Sequence, residues 1–118
     1  MALDNESFEL LLAAVQRFVR TRLMPAENDV EEHDEVPADI VADMKTMGLF
    51  GLSIPEEYGG IGLSMAQECR VAYEFGHTSL AFRSVFGTNV GIGSQGVLMD
   101  GTEAQKRALL PQVASGEL

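Results

Sequence analysis

Arg83 is the residue whose type and setting most plainly invite chemistry. From Leu80 to Met99 it is the only charge, set among apolar side chains and Ser84, Gly87, Thr88, Asn89, Gly91, Gly93, Ser94, Gln95 and Gly96. A guanidinium buried without a partner is prohibitive, so two readings stand. It reaches the rim and bonds a carbonyl or a surface carboxylate, or it meets an anionic group on a ligand lying along the glycine-rich helix. If that group is a carboxylate, the contact is bidentate. Glycine inside a helix costs roughly 1 kcal/mol against alanine. A chain that keeps several has a use for close approach, of helix on helix or of backbone on ligand.

The other reactive residue types form no constellation. His33 lies in an acidic stretch and reads as solvated, and His77 sits at a helix break, where capping or packing is the commoner use. Cys69 is the only cysteine and has no Cys or His at metal-ligand spacing. The carboxylate pairs Glu31-Glu32 and Glu56-Glu57 are sequence neighbours whose side chains diverge, which does not make a shared-proton site. No serine stands in a nucleophile elbow. Asp29 to Asp34 lacks the glycine and terminal glutamate of a calcium loop. Gly59-Gly60-Ile61-Gly62 follows no strand and precedes no Lys-Ser/Thr, so it reads as a turn and not as a phosphate cradle. Six methionines at helical spacing read as core filler. By its residues alone this is a domain without its own catalyst.

The bulk properties narrow the partners. With 118 residues and 46% hydrophobic composition the chain can build one core. A net charge of −10 repels phosphate backbones, which argues against nucleic acid. The local cluster Arg17, Arg20 and Arg22 suits the negative end of a helix. Met1 to Glu9 is acidic where a targeting peptide is basic, and no run approaches the ~20 apolar residues of a membrane span. With one cysteine, a reducing, cytoplasmic setting is expected.

The elements around these residues read as helices throughout. Phe8, Leu11, Leu12, Val15, Phe18, Val19 and Leu23 recur at spacings of three and four, with Asp4 or Asn5 as cap and Pro25 at or after the end. Glu27 to Glu35 is expected as a solvated turn. Pro37 opens a second helix with Ile40, Val41, Met44 and Met47 on one side, stopped by Gly48. Leu49 to Leu63 holds too many breakers for a helix. Ser64 caps a third helix to about Phe75, Gly76-His77-Thr78 breaks it, and Ser79 starts the next. Thr102-Glu103-Ala104-Gln105 is a capping box for a last helix, interrupted by Pro111 and ended by Gly116. The expected fold is all-α, an up-and-down bundle of about five or six helices.

Several of these segments together resemble the N-terminal domain of the acyl-CoA dehydrogenase family. The run Met47-Gly48-Leu49-Phe50-Gly51-Leu52-Ser53-Ile54-Pro55-Glu56-Glu57-Tyr58-Gly59-Gly60-Ile61-Gly62-Leu63-Ser64 resembles the family's turn between early helices. Gly101 to Lys106, Leu110-Pro111 and Ala114 to Leu118 are similar to its closing helix. The resemblance covers essentially all of residues 1–118. It implies a flavoprotein parent in which this helical domain precedes a β-domain and a C-terminal helical domain. Those two chiefly hold FAD, and the base that takes the α-proton lies in the last. The chain stops at Leu118, just before the family's β-domain motif, so a fragment is expected, inactive alone and not holding FAD tightly.

The same resemblance implies that the helix matching Phe82 to Gly91 walls the acyl-chain cavity. Phe82, Val85, Phe86, Gly87 and Val90 would set its depth, with Phe86 at the bottom. Phe82-Arg83-Ser84 is similar to the aromatic-Arg-Ser of glutaryl-CoA dehydrogenases, where the arginine receives a distal carboxylate, although Gly87 departs from the serine expected nearby. The implied partners are an acyl-CoA, an electron-transfer acceptor and further copies of the subunit. Two other readings stay open: an acyl-CoA oxidase-like flavoenzyme, and a free-standing helical module that binds an acyl chain or a partner helix without catalysis.

Overall fold

The computed structural model describes residues 3–118, so Met1 and Ala2 of the acidic N-terminal stretch lie outside it. Its α-helices are α1 (Asn5–Phe18), α2 (Glu27–His33), α3 (Ala38–Thr46), α4 (Met65–Phe75), α5 (Leu80–Val90), α6 (Ile92–Asp100) and α7 (Glu103–Ser115), and there is no strand among the described residues. The extents are 43 × 32 × 19 Å. Nineteen ångströms is about two helix diameters, so the helices lie in two layers.

Each helix follows from local chemistry. Asp4 caps α1 by accepting the Ser7 N–H at 2.9 Å, and Phe8, Leu12, Val15 and Phe18 form its buried stripe. Ahead of Pro25 the coil widens to a π-turn over Val19–Leu23 and tightens to a 3-10 turn over Met24–Ala26. The chain thus bends around a residue that has no N–H to give, without leaving the helical region. Ser64 and Gln67 form a reciprocal capping box on α4, and Thr102 and Gln105 form another on α7. Gly48, with φ of +80°, stops the coil after α3.

Two expectations are corrected. Glu27 to Glu35 is not a solvated turn: residues 27–33 are helical. Glu27 and Asp29 fall in the first turn of α2, where negative charge suits the dipole, and Val30 turns inward to a buried position. The Thr78 hydroxyl donates to Glu27 Oε2 at 2.6 Å, tying α2 to the α4–α5 junction. Pro111 does not interrupt α7, which runs through it to Ser115. Leu110, Val113 and Ala114, buried on both sides of the proline, pack with Ile54 and Tyr58 and hold the turn in register. The stretch Leu80 to Met99 forms two helices, divided at Gly91 (φ −101°, ψ −103°). The described residues thus form the expected all-α fold, with six helices of nine residues or more and the short α2 besides.

The main core joins α1, α3, α4, α5 and the 3-10 turn Leu49–Gly51. At its centre the Phe86 ring meets Phe75 edge-on at 5.0 Å and Phe50 at 6.4 Å. Between Leu52 and Leu63 the chain makes a tight excursion, closed by the Leu63 N–H donating to the Leu52 carbonyl at 2.8 Å. Gly60 lies so close to this closure that an added Cβ would overlap the carbonyl group of Ile54, a residue buried completely. Backbone cannot yield as a side-chain tip does. Gly60→Ala is therefore expected to cost about 1–3 kcal/mol, as overpacking does, seen as a lower urea midpoint at unchanged slope. An unaltered midpoint would contradict the close approach.

Candidate functional site

Helix α5 is divided along its length. Phe82, Phe86 and Val90, four residues apart, face inward and are 0%, 0% and 2% exposed. Arg83, Gly87 and Gly91 follow at the same spacing, one position on. Together with Leu80, Ser84, Thr88 and Ile92 they line an open groove of about 430 Å³. The spacing of four keeps each set on its own face. Ser79 caps the helix through the Ala81 N–H, and the Asn89 amide donates to the Val113 carbonyl at 3.0 Å, fixing α5 to α7.

At Gly91 the regular coil breaks, and the Val90 carbonyl accepts two hydroxyls, Ser53 at 2.5 Å and buried Ser94 at 3.2 Å. Behind the break lies a second hollow of about 300 Å³, lined by Ser53, Leu63, Met65, Glu68, Val90, Gly91 and Gln95. Gly91 borders both spaces.

Arg83 is half-buried, and no carboxylate of the described residues lies within ion-pair distance of it. Its guanidinium carbon stands 5.1 Å from the Phe86 ring centroid, a cation–π contact. Glu68, half-buried on α4, is the acidic group that feels it. Burial raises the Glu68 carboxyl above its ordinary value, and Arg83 pulls the other way.

The sequence-derived residues therefore take two places. Arg83 and Gly87 line the groove. Phe82 and Phe86 lie behind it in the core, half-buried Val85 packs against that core, and Val90 reaches the second hollow. Leu80, Ser84, Thr88, Gly91 and Ile92 complete the lining; of these the sequence reading draws only Ser84 into a motif, and none is named as a site residue. The available signal was the 83/87/91 period, which places two glycines in line with the arginine.

The remaining reactive types sit apart. His33 Nδ1 contacts the Asp29 carbonyl at 3.0 Å on the surface, and His77 packs edge-on against Tyr73 at 5.3 Å. Cys69 is exposed, and no cluster of three metal-ligating side chains occurs among the described residues. No helix of the described residues is long and apolar enough to cross a membrane.

Comparison with known proteins gives a consistent result. Residues 5–117 match the family model described as acyl-CoA dehydrogenase, N-terminal domain. The chain is 39% identical over 115 residues to (2S)-methylsuccinyl-CoA dehydrogenase of Cereibacter sphaeroides, covering 97% of this chain and 21% of that protein. It is 41% identical to the mitochondrial very long-chain specific acyl-CoA dehydrogenase of Rattus norvegicus, covering 91% of this chain and 16% of that one. Among solved structures it is similar to an acyl-CoA dehydrogenase complexed with FAD from Bacillus anthracis, with a TM-score of 0.79 and 30% identity over 97% of this chain and 20% of that chain. The chain thus spans about a fifth of the length of these relatives.

A pH test follows from Glu68. Its folded-state pKa is raised, so the folded chain holds that proton more tightly than the unfolded chain does. Its contribution to stability is fullest below the unfolded value and declines as pH rises through the raised folded value. Glu68→Gln is expected to raise the melting temperature at pH 7 and to lose most of that gain by pH 4. An equal gain at both pH values would show that desolvation of the charge is not the cause.

Proposed function

The chain belongs to the acyl-CoA dehydrogenase family, as its N-terminal domain, and on that premise we propose that it serves a flavin-dependent dehydrogenase of acyl-CoA thioesters as one wall of the acyl-chain pocket. The observation that carries the reading is the division of α5: an inward stripe locked in the core, and an outward, small-residue groove with one cation. Arg83 and Gly87 would meet the acyl tail directly. Phe82, Val85, Phe86 and Val90 would set how deep the pocket runs, by fixing how far α5 stands from the core behind it.

In this reaction class a base takes the α-proton while hydride passes from the β-carbon to the flavin. What these residues supply is orientation of the chain and exclusion of water. We assign FAD to the full-length protein and to parts beyond residues 3–118. An electron-transfer acceptor and further copies of the subunit are the other partners we assign. Exposed Leu80, Ile92 and Met65, 76%, 90% and 73% accessible, would be covered by the rest of that assembly.

For the tail we favour a carboxylate or another polar group. The C. sphaeroides relative is named for the thioester of a dicarboxylic acid, and Arg83 is the one charge in the groove lining. A hydrogen bond to a charged group contributes about 1.5–3 kcal/mol. In the full-length protein, Arg83→Ala is therefore expected to raise KM for a carboxylate-tailed thioester by roughly tenfold to a hundredfold relative to a plain acyl thioester. Anaerobic bleaching of a flavin spectrum by acyl-CoA tests the reaction class. Unchanged selectivity on Arg83→Ala would sink the assignment of the tail, and a colourless protein indifferent to thioester would sink the class.

A further inference from the structure

We propose that Gly87 is a specificity-determining position, because the space left by its missing side chain is the seat of the Arg83 guanidinium. The inference rests on the pocket-wall reading above and adds how the groove's cation is aimed. An ideal Cβ built on Gly87 would overlap Arg83 Nη1 and lie 3.6 Å from Arg83 Cζ, and beyond the adjoining residues and the helix's own backbone no other atom lies within 4 Å. The arginine, one helical turn earlier, lies back over residue 87 and is what fills this space. Its guanidinium is held on a second side by the Phe86 ring, which is completely buried and braced by Phe50 and Phe75. The cation is thus seated between the Phe86 ring and residue 87, among the residues that line the groove.

A methyl at position 87 has one obstacle, and that obstacle is the mobile end of a long side chain. Alanine also suits a helix better than glycine. Gly87→Ala should therefore leave the fold intact and drive the guanidinium off Phe86 into the groove. There it would meet a tail carboxylate nearer the mouth and close the floor to a longer chain. Gly87 would thus be a positioning residue that acts through Arg83, as well as part of the lining.

The test uses the full-length protein with its flavin, as wild type, Gly87→Ala, Arg83→Ala and the double variant. The ratio of KM values for a carboxylate-tailed and a plain acyl thioester of equal length is measured with kcat and the melting temperature. We expect Gly87→Ala to change that ratio about tenfold, a shift of 1.4 kcal/mol, without lowering the melting temperature. In the Arg83→Ala background the same substitution should leave the ratio where Arg83→Ala alone put it. An equal effect of Gly87→Ala with and without Arg83 would overturn the proposal, since the glycine would then act through groove volume alone. A crystal structure of Gly87→Ala reads the coupling without substrate: a guanidinium still seated over Phe86 overturns it, and one displaced supports it. If Arg83→Ala does not alter the ratio, the tail assignment falls while this structural arm still decides the coupling.

Discussion

The packing of Phe86 is the contact on which the rest of the arrangement depends. Its ring meets Phe75 of α4 and Phe50 of the 3-10 turn, both edge-on. Such aromatic pairs contribute about 0.5–1.5 kcal/mol each beyond the area they bury. Three separated stretches of chain are thereby referred to one side chain. Because Phe86 belongs to α5, the same contact fixes the rotation of α5 about its own axis. Rotation decides which residues face out. With Phe82, Phe86 and Val90 committed to the core, the positions one step on have no choice but to form the open face.

That open face is unusual in what it omits. The helix carries a single charge, and the lining of its groove includes two glycines. Neither feature favours a helix standing alone. The stability of α5 is therefore borrowed from tertiary contacts: the inward stripe, the Asn89 bond to Val113, and the two hydroxyls on the Val90 carbonyl. Removal of those contacts would leave little to keep residues 80–90 helical. The groove is thus shaped by the core behind it.

Much of this was legible from residue types. The caps at Asp4, Ser64, Ser79 and Thr102, the stop at Gly48 and the break at Gly76 each rest on chemistry within a few residues, and the structure places them there. Tertiary context overrode the local reading elsewhere. The acidic run at 27–35 looked solvated, yet buried Val30 and the bond from Thr78 to Glu27 give a short helix a reason to form. Pro111 looked like an interruption, yet its neighbours are held by Ile54 and Tyr58. At the candidate site, residues 82–91 are singled out by their composition and by the family resemblance. Their division into inward and outward sets left only a four-residue period as its signal, blurred by apolar Leu80, Ala81 and Val85 on other sides of the helix. The Phe50 and Phe75 contacts settle the division, and they come from segments far away in sequence.

The period-four division of α5 has a consequence for how such a domain diversifies. Substitution at 82, 86 or 90 disturbs the core and is paid in folding, whereas Ser84 and Thr88 are exposed and Gly91 only borders the hollows. Change at the outward positions would therefore reshape the groove while leaving the core behind it as it is. Adjacent letters of one helix thus answer to separate constraints, one set by folding and the other by the shape of an open surface.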